Sequence, residues 1–443
     1  MKLIYGIHDK PKFGQLIVFA IQQLLAIMAA TLVVPVIIGN DMSPAAALFG
    51  AGIGTLIYVL FTKKSSPVFL GSSFAFLGSM SAAFAGGVSM ALGYVGLILG
   101  ALFAGLVYVV IAIIVKIAGV KWINKLMPAV VIGPTVAIIG LSLAGNAIGD
   151  FTKSSLPDGS PYVAMICGLI TLFVTMICSS YGKKSLKLIP FIIGILAGYA
   201  AASIFYVIGS ATDNTALQII DYSSFTALNS IVSVPDFTFL TALKGTGEIT
   251  GAYIGTIAAA YIPVAFVVFA EHIADHKNIS SIIGKDLLED PGLSRTLLGD
   301  GVGSIVGAFF GGCPNTTYGE SIACVAVTGN ASVATIVAAA IGAIIISFLS
   351  PFVALVNSIP SCVMGGVCMT LYGFIAVSGL RMFKHIDLDE NKNLFVVSVI
   401  LIAGIGGLTI SLGQVTITEV ACALILGIIT NLVLAKSGKK EQQ

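Results

Sequence analysis

Charge is what this chain has least of: aspartate, glutamate, lysine and arginine together make up 9% of its 443 residues. A soluble domain covers itself with about 25% charged residues. That shortage excludes an ordinary water-solvated domain and points to lipid as the solvent. The net charge is only +2, and no basic run exceeds two residues before the C-terminal tail, which argues against a nucleic-acid partner. The seven cysteines (Cys167, Cys178, Cys313, Cys324, Cys362, Cys368 and Cys422) form no C-x-x-C pair and sit mostly in apolar runs, as small core residues rather than metal or disulfide ligands. No small-residue cleavage site follows the first apolar stretch, so a cleavable signal peptide is not expected. Neither G-x-S-x-G nor H-E-x-x-H occurs, so the chain is not expected to be an enzyme, and no cofactor is expected.

Apolar residues supply 57% of the chain, and its fifty glycines suit helices that pack closely in a membrane. Segments of about 20 apolar residues cross a bilayer. Fourteen candidates lie near residues 14–38, 44–62, 66–84, 91–115, 126–148, 161–180, 188–209, 249–276, 296–311, 313–328, 331–356, 360–380, 393–411 and 416–435. The basic residues test this count. With the N-terminus inside, the inner segments hold Lys2, Lys10, Lys12, Lys63, Lys64, Lys116, Lys121, Lys125, Lys183, Lys184, Lys187, Lys277, Lys285, Arg295, Arg381, Lys384, Lys392, Lys436, Lys439 and Lys440. Only Lys153 and Lys244 fall outside. A wrong count would switch every later loop to the other side, so the positive-inside bias supports both the count and the orientation, with both termini cytoplasmic.

Seven segments per half put the second half in the opposite orientation, the condition for an inverted repeat. Both halves share an anomaly. The third segment of the first half contains Ser65, Ser66 and Pro67, then Gly71, Ser72, Ser73 and Phe74; that of the second contains Gly311, Gly312, Cys313, Pro314, Asn315, Thr316, Thr317, Tyr318, Gly319 and Glu320. Each reads as a few extended residues followed by a half-helix, with Ser72 or Ser73 capping the first and Thr316 or Thr317 the second. Extended backbone at membrane depth must be buried or line a cavity. Two such segments can pair near the midplane and aim the positive ends of their half-helices at one spot. The expected fold is therefore all-α and polytopic, with 14 transmembrane segments as 7+7 inverted repeats and short strands and half-helices in spans 3 and 10.

Three acids lie clearly inside spans: Glu271, Asp275 and Glu320. Glu248 and Glu419 sit near outer ends, and no lysine or arginine is embedded. A carboxylate at membrane depth costs roughly 3 kcal/mol, so one that is kept there marks a functional site, here one able to carry protons. Glu271 and Asp275, four apart, share a helix face. His272 and His276 form a second such pair, but no third ligand at zinc spacing appears, so no metal is expected. His276, beside Lys277, is placed near the inner interface.

Ala270-Glu271-His272, the run from Gly71 to Phe76 and the run from Pro314 to Glu320 closely resemble the nucleobase–ascorbate transporter family, in its bacterial uracil permease branch. Gln22-Gln23, Asp290-Pro291-Gly292-Leu293 and Leu371-Tyr372-Gly373 agree with it. The resemblance implies a core domain (1–118 and 248–357) and a gate domain (119–210 and 358–436), with an extracellular loop at 211–247 and a cytoplasmic tail at 437–443. It implies that Glu271 and Glu320 bind the base, that Phe74 packs on its ring, and that the amides of Phe74 and Gly319 meet its carbonyls. Ser73, Tyr318, Ser321 and Tyr372 are placed around the substrate, and Asp275, Glu271, Glu320 and Gln23 on the proton path. Departures are visible: Ser321 stands where the family signature has asparagine, and Gln23 where histidine is common. The expectation is a bacterial plasma-membrane symporter, a homodimer, that imports uracil with a proton. A purine such as xanthine or urate is the alternative cargo. The rival classes are an inorganic-anion transporter of the same architecture, which should favour embedded bases, and a cation channel.

Overall fold

The computed structural model describes residues 3–119, 128–183, 186, 189–226, 228, 230–412 and 415–437. Lys2, Lys121, Lys125, Lys184, Lys187, Lys439 and Lys440, the first residues of the expected segments near 126–148 and 188–209, and the tail beyond residue 437 lie outside the described residues.

Helices occupy every apolar segment read from the sequence. They begin with α1 (Phe13–Ile38) and α2 (Pro44–Phe61), then strand β1 (Leu70–Ser72), a 3-10 turn (Phe74–Phe76) and α3 (Leu77–Ala83). The chain goes on through α4 (Met90–Ala118), α5 (Ala129–Ser142), α6 (Ala144–Phe151), α7 (Pro161–Tyr181) and α8 (Pro190–Ala211). Two short helices, α9 (Ser223–Thr226) and α10 (Thr238–Gly245), cross the long loop. After them come α11 (Gly251–Ile283), α12 (Leu293–Gly311), strand β2 (Asn315–Thr317) and α13 (Gly319–Thr328). The last elements are α14 (Val333–Ser347), α15 (Ser350–Asn357), α16 (Ser361–Arg381), α17 (Asn391–Ile405), the hairpin β3–β4 (Ile410–Leu412, Val415–Ile417) and α18 (Glu419–Ser437). Among the described residues, eight helices are long and apolar enough to cross a bilayer, and α13, α14, α17 and α18 are shorter apolar helices. The β3–β4 hairpin was not expected; it falls where spans were drawn to residue 411 and from residue 416, and β4 runs beside α11.

The two interrupted segments meet. β1 and β2 pair antiparallel, with Leu70 opposite Thr317, Gly71 opposite Thr316 and Ser72 opposite Asn315. All six residues are buried, so every backbone group there needs a protein partner. Beyond the ladder, the Ser73 N–H donates to the Pro314 carbonyl at 2.9 Å and the Tyr318 N–H to Phe69 at 3.2 Å. Thr55 Oγ1 accepts from the Leu70 N–H at 2.9 Å, and Asn315 Nδ2 donates to the Gly50 carbonyl at 3.1 Å. Helices α2 and α12 bracket the pair at close range. A Cβ on Gly54 would lie 2.7 Å from the Gly303 carbonyl oxygen, and one on Gly303 equally close to that of Gly54. Only residues without side chains fit there.

The caps differ from the expectation. Ser73 and Tyr318 occupy the N-cap positions, and neither makes a side-chain capping bond. Thr317 is drawn away because its hydroxyl donates to Asp275 instead, at 2.8 Å. His276, expected near the inner interface, is fully buried within the protein against Tyr58.

Candidate substrate site

One cavity of about 550 Å³ opens beside the crossed strands. Helix α11 contributes Glu271 and Asp275, the first half-helix Phe74, and the second Gly319 and Glu320. Ile132, Val136 and Ile139 of α5 and Leu371, Phe374 and Ile375 of α16 form the apolar wall opposite. Its lining reaches the C-terminal ends of three helices, at Ser179, Val327 and Arg381. The volume lies within the roughly 300–1,000 Å³ range of small-molecule sites.

Local sequence explains this placement. Glu271 and Asp275, one helical turn apart, present both carboxyls on the same face of α11. Glu320 is the second residue of α13, so the strand break at Thr317–Tyr318 decides where it points. Tyr318 is wedged behind it, donating its hydroxyl to the Ser72 carbonyl at 2.7 Å and thereby tying the second interrupted segment to the first. Phe74 lies edge-on to Tyr372, with ring centroids 6.2 Å apart. Among the described residues no lysine or arginine forms an ion pair with Glu271, Asp275 or Glu320, and Arg381 is the one basic residue on the lining.

Six of the ten residues placed around the substrate or on the proton path line this cavity: Phe74, Glu271, Asp275, Tyr318, Gly319 and Glu320. Four do not. Ser73 is buried behind the 3-10 turn, with its hydroxyl unpaired. Tyr372 is buried and reaches the site only through the Phe74 ring. Ser321 is fully buried, and its hydroxyl oxygen accepts from Gln23 Nε2 and, at 3.0 Å, from the Phe69 N–H. Gln23 and Ser321 thus join α1, the first interrupted segment and α13 from behind the site.

One embedded acid escaped the sequence reading. Asp300, fully buried in α12, lies 2.6 Å from His272 Nδ1. Its signal was available: it falls inside the apolar segment drawn at 296–311. Among the described residues no group of three histidine, cysteine or acidic side chains is arranged to hold a metal.

Comparisons with known proteins fit this arrangement. The uracil permease of Bacillus caldolyticus is 39% identical over 441 residues, an alignment covering 98% of this chain and 95% of that protein. The uracil permease of Bacillus subtilis is 38% identical, covering 100% and 97%. In fold, the chain is similar to the transmembrane domain of a cyanobacterium bicarbonate transporter, with a TM-score of 0.65 at 15% identity, over 96% of this chain and all of that one. The permease-family model matches residues 14–413, so this chain belongs to that family, the nucleobase–ascorbate transporters, and is a multi-pass membrane transporter rather than an enzyme.

Proposed function

We propose that this transporter carries a nucleobase, uracil first among them, into the cell together with a proton by alternating access. The observation that carries the reading is the meeting of Glu271, Glu320 and Phe74 in one cavity at the start of two half-helices. Uracil presents N–H donors and carbonyl acceptors around a flat ring. Carboxylates accept from the donors, while amides at half-helix N-termini donate to the acceptors. An aromatic face suits the ring. The names of the relatives agree with this cargo. Asp275, on the same face of α11, takes the proton-coupling role.

The same reading orders the chain as fourteen spans in two inverted halves. Spans 1–4 and 8–11 form a core that carries the acids, and spans 5–7 and 12–14 form the gate that supplies the apolar wall. With the lysine-rich side inside, both termini are cytoplasmic. The cavity lining then reaches the inner ends of α7, α13 and α16, an inward-facing arrangement. A homodimer in the bacterial plasma membrane completes the proposal. The fold is shared with an anion transporter, but three embedded acids suit hydrogen-bond donors better than anions.

The test is uptake and equilibrium binding of radiolabelled uracil by Glu271→Ala and Glu320→Ala. Losing one hydrogen bond to a charged group costs about 1.5–3 kcal/mol, so affinity should fall about 10- to 150-fold while the protein still reaches the membrane. Normal uptake by both variants contradicts the assignment. Binding of xanthine or urate in place of uracil moves the cargo to a purine, and binding only of bicarbonate moves it to an anion.

A further inference from the structure

Helix α11 has two working faces. One carries Glu271 and Asp275 into the cavity. The other carries His272 and His276, both fully buried, into the packing between α11, α2 and α12. His272 Nδ1 lies 2.6 Å from Asp300 Oδ2, and its Nε2 lies 3.0 Å from Thr296 Oγ1. His276 Nδ1 lies 2.7 Å from the His272 carbonyl, and its Nε2 2.6 Å from the Tyr58 hydroxyl, which is 2.7 Å from Ser66 Oγ. The two imidazoles stack, with centroids 4.0 Å apart.

The acceptors fix the hydrogens. Thr296 donates its hydroxyl hydrogen to the Leu293 carbonyl at 3.1 Å, so its oxygen accepts from His272 Nε2–H. The short Nδ1–Oδ2 contact then needs a hydrogen of its own. Whichever atom holds it, His272 and Asp300 together carry no net charge. A neutral pair can remain at membrane depth without the cost of an isolated ion. Both imidazole nitrogens of His272 are thereby engaged by α12, which fixes the rotation of α11 at the turn that carries Glu271.

We propose that His272 and Asp300 are positioning residues for substrate binding. They lock α11 so that the adjacent Glu271 presents its carboxylate to the cavity. This inference rests on the nucleobase reading of the site. It separates the two histidines by task, with His272 setting the angle of the binding acid and His276 tying the following turn to α2 through Tyr58.

A double-mutant cycle tests it. Uracil binding is measured on purified, monodisperse parent protein, His272→Ala, Asp300→Ala and the double variant, alongside their melting temperatures. Each single variant should bind uracil about tenfold more weakly, equivalent to about 1.4 kcal/mol, and the double variant no more weakly than either single one. Asp300→Asn, which keeps the size and can donate an amide hydrogen to the bare Nδ1 of a neutral His272, should restore most of the affinity. It also serves as the folded variant if the alanine forms do not purify, with His272→Gln as its partner, which reaches only one of the two contacts and should bind at an intermediate affinity. Losses that add across the pair, or a lower melting temperature with parental affinity, overturn the proposal. Failure of the parent itself to bind uracil refutes the nucleobase reading instead.

Discussion

The crossing of the two interrupted segments leaves no space at Gly71, and that makes Gly71→Ala an informative change. A Cβ there would lie 2.3 Å from Tyr318 Cζ, 2.4 Å from Cε2 and 2.9 Å from Thr31 Oγ1. The ring would have to retreat by about 1 Å to restore ordinary carbon contact. Tyr318 is only 4% exposed, so its ring retreats only by displacing its neighbours or by moving into the cavity it lines. Moving it also breaks the 2.7 Å bond from its hydroxyl to the Ser72 carbonyl. Overpacking costs about 1–3 kcal/mol. Leaving a buried hydroxyl unpaired costs about 1–3 kcal/mol more. Tyr318 immediately precedes α13, so the same shift displaces Gly319 and Glu320. Gly71→Ala should therefore lower both the apparent melting temperature in detergent and the uptake of radiolabelled uracil. Gly319→Ala is the matched control for packing, because its Cβ meets nothing within 4 Å, and its melting temperature should equal the parent's. A Gly71→Ala protein that melts and transports like the parent refutes the claim that this crossing sets the site.

Further expectations follow from the same geometry. Phe74→Ala removes the aromatic face from the cavity and should weaken uracil binding by about 1–3 kcal/mol, the usual worth of stacking on a base, as read by titration of purified protein; unchanged affinity takes Phe74 off the substrate. Ser321→Ala leaves the Phe69 N–H and the Gln23 amide without their acceptor. Its melting temperature should fall while uracil affinity holds, and the reverse pattern would put Ser321 on the substrate. Asp275→Ala should flatten the dependence of uptake on external pH more than it weakens binding; an unaltered pH profile removes Asp275 from the proton path.

The helical segments were legible because hydropathy reports directly on contact with lipid, and the lysine bias adds a check independent of it. The β1–β2 meeting was legible from Pro67 and Pro314 and from the runs of small and hydroxylated residues beside them, which interrupt two otherwise apolar segments in the same way. Glu271, Asp275 and Glu320 stood out because a charge in an apolar run is rare. Other features were hidden for physical reasons. Whether a threonine caps a helix or bonds a neighbouring carboxyl depends on what approaches it in space, and Thr317 met Asp275. His276 sits beside Lys277 in sequence, yet the two side chains take different sides of α11, one buried and one exposed. The β3–β4 hairpin is two three-residue strands, Ile-Ser-Leu and Val-Thr-Ile, too short for their alternation to stand out from the apolar segments on either side. Asp300 stands between Gly299 and Gly301 inside an apolar segment, and nothing in its local sequence names its partner. Its partner His272 lies 28 residues away, a pairing that sequence spacing does not encode.

A structure of the protein with uracil bound tests the central claim most directly. The ring should lie in the cavity against Phe74, with its N–H groups within about 3 Å of the Glu271 and Glu320 carboxylates and its carbonyls facing the amides of Phe74 and Gly319. Uracil density elsewhere, or in this cavity but out of reach of both carboxylates, would contradict the account.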